Sequence, residues 1–194
     1  MYSVRQTIVL QEELEQNCIN RVLNGEPEAF RLLVERHEDH VLGIAIQILK
    51  GREEAEEVAQ DVFLKAYRSL DKYAGKSKFG TWLYRITYNE AISKLRGNKK
   101  QRAVLADDFD EYDFVDTEVY DEEHEEQLLS LEEAVQKLKE PDQLLLNLYY
   151  QQDKKVKEIA EIIGMSESNI KIRLHRSRST LQELLKKKGH GEQV

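Results

Sequence analysis

One cysteine in 194 residues, Cys18, has nothing to pair with inside the chain, so a disulfide framework and a cysteine-based zinc site are both excluded. A reducing compartment fits this usage. Two prolines and nine glycines supply few turn signals, which argues against a many-stranded sheet protein. No apolar run approaches the ~20 residues of a membrane span. The opening residues, MYSVRQTIVLQEELEQ, lack the form of a signal peptide. The expectation is a cytoplasmic protein with no direct membrane insertion. What is present is a balance of 40% hydrophobic and 34% charged residues, which suits a soluble, helix-rich chain. The length accommodates one large domain or two small ones.

The net charge of −8 is unevenly placed. Between Asp107 and Glu126 there are twelve acids and no lysine or arginine, and setting them aside leaves 25 of the 37 acids against 29 bases. An acidic segment thus separates two near-neutral to basic parts, and the whole-chain charge hides cationic surfaces that could meet nucleic acid.

The most informative stretch is 156–185, VKEIAEIIGMSESNIKIRLHRSRSTLQELL. Val156, Ile159, Ala160 and Ile163 recur at helical spacing and form one apolar stripe. Gly164 offers the backbone freedom of a helix end, and Ser166 is a suitable N-cap for a second helix. That helix turns Ile170, Leu174 and Leu181 inward and carries Lys171, Arg173, His175, Arg176 and Arg178 on its other side. Two short helices joined by a tight turn, the second one basic, make a helix-turn-helix. A helix fits the major groove, where arginine and lysine reach guanine edges or phosphates. The blander alternative is an amphipathic hairpin with a solvated basic face.

Upstream, residues 17–23 pattern as a short helix ended by Asn24-Gly25, and the residues before it are uncommitted. Pro27 sits in the first turn of a longer helix whose apolar positions run from Ala29 to Leu49 and which Lys50-Gly51 closes. His37 and His40 on it suggest a metal pair, but no further ligands are evident, and a helix-surface placement is favoured. The next helix opens with Glu53 and Glu54 and turns Ala55, Val58, Ala59, Val62, Phe63, Ala66 and Leu70 inward. A polar loop over 71–78 leads to another helix, from Phe79 to about Leu95. Its polar side interleaves Lys76, Lys78, Tyr84, Arg85, Tyr88, Asn89, Lys94 and Arg96 with a basic tail. Cations neutralise phosphates and aromatic faces stack on unpaired bases, which together suit a partly single-stranded nucleic acid. Trp82 is divided evenly between that role and core packing. After the acidic segment, Leu128 to Leu138 and Leu144 to Tyr149 pattern as two more helices, completing a four-helix bundle with the helix-turn-helix.

These stretches resemble the bacterial RNA polymerase sigma factors of the extracytoplasmic-function (ECF) group, within the sigma-70 family. The resemblance runs over about 18–102 and 128–187. It rests on GEPEAFRLLVERHEDHVLGIAIQIL, AEEVAQDVFLKAYRSL, FGTWLYRITYNEAISKLR and the helix-turn-helix, the middle two being the most specific. One departure is Ser93, where many members carry an acid three residues before an arginine, here Arg96.

The resemblance implies an all-α chain with an N-terminal extension (1–17) and a polymerase-docking and −10 recognition domain (18–102). An acidic flexible linker (103–127), a −35-binding helix-turn-helix domain (128–187) and a tail (188–194) would follow. It implies that Glu57, Gln60, Asp61 and Phe63 dock on the clamp coiled coil of the largest subunit of core RNA polymerase. A contact with the flap of the second-largest subunit is also implied. Lys76, Lys78, Phe79, Trp82, Arg85, Asn89 and Arg96 would meet the −10 element, where the loop captures a base flipped from the duplex, which costs a few kcal/mol. Ser168, Asn169, Lys171, Ile172, Arg173, His175 and Arg176 would read the −35 element, with Arg173 and Arg178 better suited to packing or phosphates. About 24 linker residues at ~3.3–3.6 Å each reach roughly 80 Å. A spacer of about 16 base pairs at ~3.4 Å spans roughly 55 Å, so the reach suffices. The linker would lie in a basic polymerase channel or act as a solvated spacer.

The function so implied is an alternative sigma factor that binds core polymerase, reads −35 and −10 promoter DNA and promotes melting. An anti-sigma factor is a common partner in the group. A stand-alone helix-turn-helix regulator is the alternative, but it gives the segment from Ala55 to Arg102 no role. No paired carboxylates with a supporting His or Lys, no phosphate-binding glycine loop and no metal cluster stand out, so neither a cofactor nor catalysis by this chain is expected.

Overall fold

The structure, a computed structural model, describes residues 4–104 and 131–189, with side chains described for 12–98, 131–139 and 141–186. Among these residues every regular element is helical. The N-terminal half contains α1 (Val4–Leu23), α2 (Phe30–Leu49), α3 (Arg52–Arg68) and α4 (Phe79–Val104). The C-terminal half contains helical residues 131–136 (α5), then α6 (Glu140–Leu146), α7 (Val156–Ile163) and α8 (Glu167–Gly189). The acidic stretch 107–126 lies outside the described residues.

Local chemistry sets the helix ends. Gly25 takes φ +95°, and the N–H groups of Gly25 and Glu26 donate to Val22 and Arg21 carbonyls, stopping α1. Pro27 then opens a 3-10 turn that feeds α2. At the end of α2 the left-handed residue is Lys50 (φ 62°), and its N–H donates to the Ile46 carbonyl at 2.8 Å. The Lys50-Gly51 stop therefore works through the lysine. Residues 147–151 form a π turn after α6, and α7 begins where the Glu158 carboxylate accepts from the Lys155 N–H at 3.0 Å.

Helix α2 is the hub of the N-terminal half. Leu33, Val41, Ile44, Ala45 and Ile48 are buried against Ala55, Val58 and Val62 of α3 and Leu83 and Ala91 of α4. In the C-terminal half Leu144, Leu145, Leu148, Ile159, Ile162, Ile170 and Leu174 are buried together. The two halves share one continuous core, with α6 against α2 and α7 against α4. Lys50 Nζ donates to Gln143 Oε1 at 2.9 Å across this joint, and the Lys154 ammonium sits 5.0 Å from the Tyr84 ring centroid.

Four sequence expectations change here, the first being the end of α4, which runs past Leu95 to Val104. The short helix at 17–23 is the end of the 20-residue α1, because Ile19 packs inward while Glu12 and Glu15 pair with Lys78, Arg36 and His37. His37 is not on the surface: it is 7% exposed, with Nε2 3.0 Å from Glu15 Oε1 and Nδ1 3.0 Å from Tyr84 Oη. Tyr84, placed on the polar side of its helix by pattern, is 2% exposed for the same reason. A carboxylate only accepts, so Nε2–H donates to Glu15. Burial raises the Tyr84 phenol above its ordinary range, so it keeps its proton and can donate to Nδ1.

Tyr84→Phe keeps the ring but leaves the buried His37 Nδ1 without its hydrogen-bond partner. Urea denaturation should show a loss of about 1–3 kcal/mol. An unchanged midpoint would mean that this bond adds nothing to stability.

Candidate nucleic-acid interface

Three surfaces carry the residues singled out from the sequence. The first is the loop between the 3-10 turn Leu70–Lys72 and α4, together with the exposed stripe of α4. The Tyr73 hydroxyl donates to the Ser77 carbonyl at 2.6 Å, which ties the loop across its neck. Phe79 is 2% exposed, and its ring meets those of Tyr73, Trp82 and His37 at centroid distances of 5.7, 5.7 and 5.5 Å. Trp82 is half-buried, and its ring centroid is 5.4 Å from that of Tyr73. It is thus a core contact with part of its surface still accessible. Lys76, Lys78, Arg85, Asn89 and Arg96 are exposed. Between this loop and α1 lies a cleft of about 390 Å³, with Tyr73, Ser77, Lys78 and Phe79 on one side and Glu12 and Glu15 on the other.

The second surface is α8. Gly164 ends α7 at φ +76°, its N–H donating to the Ala160 carbonyl at 2.9 Å. The Asn169 N–H donates to Ser166 Oγ at 3.3 Å, so the serine cap expected from the sequence is present. Ile170, Leu174 and Ser177 are buried against the bundle. Ser168, Asn169, Lys171, Ile172, His175 and Arg176 are exposed, Ile172 by 49%, an unusual presentation for an isoleucine. Arg173 departs from this group. Its Nε and Nη2 donate to Asp142 Oδ1 at 3.0 and 2.6 Å, bracing α8 on α6. Arg178 reaches the Tyr150 hydroxyl at 3.4 Å.

The third surface is the outer side of α3, where Glu57, Gln60 and Asp61 are exposed and Phe63 is half-buried. Leu64 and Tyr67 add exposed apolar area beside them. Glu57 accepts from Lys94 at 2.8 Å, and Lys65 pairs with Glu90, so ion pairs fasten α3 to α4 along this edge. Hydrogen bonding to Glu57 holds the Lys94 ammonium above its ordinary range, against a smaller opposing effect of desolvation.

The cations divide by partner. Lys78, Lys94 and Arg173 are paired with Glu12, Glu57 and Asp142. Among the described residues Lys76, Arg85, Arg96, Lys171 and Arg176 form no ion pair, so their charge is available to an anionic ligand. Sequence reasoning missed Glu12 and Glu15. Cys18, Ile19 and Val22 signalled a helix, and the absence of any stop signal before them could have extended it back to these acids. Among the described residues no group of three or more His, Cys, Asp or Glu could hold a metal ion, and no helix is long and apolar enough to cross a membrane.

Two helical units carry exposed cations, one of them on a helix-turn-helix, an arrangement that suits a nucleic-acid partner. Residues 33–101 match the family model of sigma-70 region 2, and residues 128–181 that of sigma-70 region 4. The chain is 31% identical over 178 residues to the ECF RNA polymerase sigma-E factor of Haemophilus influenzae, covering 87% of this chain and 93% of that one. It is 29% identical over 186 residues to the RNA polymerase sigma-H factor of Pseudomonas aeruginosa, covering 91% and 96%. Among solved structures it is similar to the sigma factor RpoE of Bartonella quintana in complex with the anti-sigma factor NepR, at 25% identity and a TM-score of 0.68 over 81% of this chain and 96% of that one. The fold is also that of CnrH, solved with the cytosolic domain of CnrY, at 21% identity and a TM-score of 0.63 over 89% and 97%. The chain belongs to the ECF RNA polymerase sigma factors, and is an alternative sigma factor that directs RNA polymerase to promoters.

Arg173→Ala should lower stability by about 1 kcal/mol, since its partly exposed pair with Asp142 braces α8. Arg176→Ala, exposed and unpaired, should change stability by no more than about 0.5 kcal/mol. Thermal unfolding of both variants checks the division, and equal losses would contradict it.

Proposed function

We propose that this sigma factor engages a promoter through two separate readers. Helix α8 enters the major groove of the −35 element, with Ser168, Asn169, Lys171, Ile172, His175 and Arg176 toward the bases and Arg173 and Arg178 serving the fold or the backbone. The carrying observation is that those six side chains are exposed on a helix whose Ile170 and Leu174 are buried. The loop over 73–79 and the stripe Lys78, Trp82, Arg85, Asn89 and Arg96 engage the −10 element as it melts. A strand leaving the duplex offers bases to the cleft and phosphates to the cations. Glu57, Gln60, Asp61 and Phe63 dock on the clamp coiled coil of core polymerase, with the exposed Leu64 and Tyr67 favouring a protein partner there.

The domains are taken as 18–102 and 128–187, flanked by an N-terminal extension, the linker and the tail, and the protein works in the cytoplasm. The phosphoryl chemistry belongs to the polymerase, and this chain is not itself an enzyme. The packing of α7 on α4 brings the two readers together, whereas a promoter spacer holds −35 and −10 elements about 55 Å apart. Reading both elements therefore requires the halves to separate. An anti-sigma partner is part of this reading, supported by the complex of the relative RpoE with NepR.

Arg176→Ala should weaken −35-dependent initiation by roughly 1–3 kcal/mol if the guanidinium pairs with a base. Equal loss on scrambled −35 sequences would make it a phosphate contact. Asp61→Arg should reduce affinity for core polymerase in a pull-down or titration, and wild-type affinity would remove Asp61 from the docking face.

A further inference from the structure

Helix α1 carries none of the residues assigned to DNA, yet it supplies one wall of the cleft beside the −10 loop. Glu12 Oε1 lies 3.0 Å from Lys78 Nζ, and the two side chains are 49% and 52% exposed. Glu15, deeper in the same wall, is already committed to Arg36 and His37, each at 3.0 Å. Glu12 therefore meets the loop through one solvent-accessible contact, and that contact consumes a cation.

We propose that Glu12 competes with promoter-strand phosphate for Lys78, so that α1 sets the affinity of the −10 reader. This rests on the proposed role of the loop in strand binding. A carboxylate offers a lysine the same charge-assisted acceptor that a phosphate oxygen does. When a strand enters, Lys78 exchanges Glu12 for phosphate, and Glu12 must turn to water or face a like charge. Lys76, exposed in the same loop and without an ion pair among the described residues, makes first contact. Lys78 joins only when the strand is close enough to displace the carboxylate. The contact is open to solvent and worth little to the fold, so it can be exchanged without unfolding the loop. Glu13 is exposed on the same helix one residue along and lines no part of the cleft.

The test uses full-length protein assembled with core polymerase, and a fluorescent single-stranded oligonucleotide taken from the −10 region of a promoter this factor drives. Four forms are compared with wild type: Glu12→Gln, Glu13→Gln, Lys78→Gln and the double change at 12 and 78. Glu12→Gln should tighten binding by about three- to tenfold, while Glu13→Gln, which removes the same charge nearby, should change it less than about twofold because exposed charges are screened. In the Lys78→Gln background the gain from Glu12→Gln should shrink to that of Glu13→Gln. Unchanged or weaker binding by Glu12→Gln, or equal gains from positions 12 and 13, would overturn the competition while leaving the loop as a DNA contact. If Lys78→Gln has no effect with either residue at position 12, the loop's role in strand binding falls, and this inference with it. Thermal melting of each variant separates these outcomes from a fold defect.

Discussion

The buried hydrogen-bond chain Glu15–His37–Tyr84 ties three helices at the centre of the N-terminal half. Each member is a polar group that costs free energy to bury alone; His37 bonds both of the others, and Glu15 also pairs with Arg36. Together they fix α1 against α2 and set the rotation of α4 about its axis. With Tyr84 turned inward, Arg85 and Asn89 face outward, and Phe79 at the start of α4 closes the base of the loop that follows the 3-10 turn. The cleft beside that loop therefore depends on a histidine that no DNA-contact argument would have selected.

The same tyrosine links the two halves. Its ring receives the Lys154 ammonium on one side and stacks on His40 at a centroid distance of 5.8 Å. Burial lowers the pKa of both Lys154 and His40, so the charged forms of these groups are less favoured here than in water. This joint combines an exchangeable cation–π contact and the Lys50–Gln143 bond with apolar packing of α7 on α4. On the proposed reading, the two halves part along this joint when the factor engages a promoter.

Much of this was legible in the sequence because helical chains report their buried faces through spacing. The stripes of α2, α3 and α7, the glycine stop at Gly164 and the Ser166 cap were all readable, since each depends on neighbours three or four residues away. What was not legible depended on distant partners. His37 looked like a surface residue because its partners lie far away in the chain, Glu15 22 residues earlier and Tyr84 47 later. A packing role for Arg173 was expected, but its partner, Asp142, lies 31 residues upstream and could not be read from the pattern of α8. The acids of α1 carried no pattern of their own, and their meaning came from Lys78 and Arg36 across the fold.

The most direct test of the account is run-off transcription on fragmented host DNA by core polymerase, with and without this protein, followed by sequencing of the transcript starts. New starts sharing two upstream elements at a fixed spacing, lost when the protein is left out, are the predicted result. Specific duplex binding by the protein alone, with no new starts in the presence of core polymerase, would contradict it.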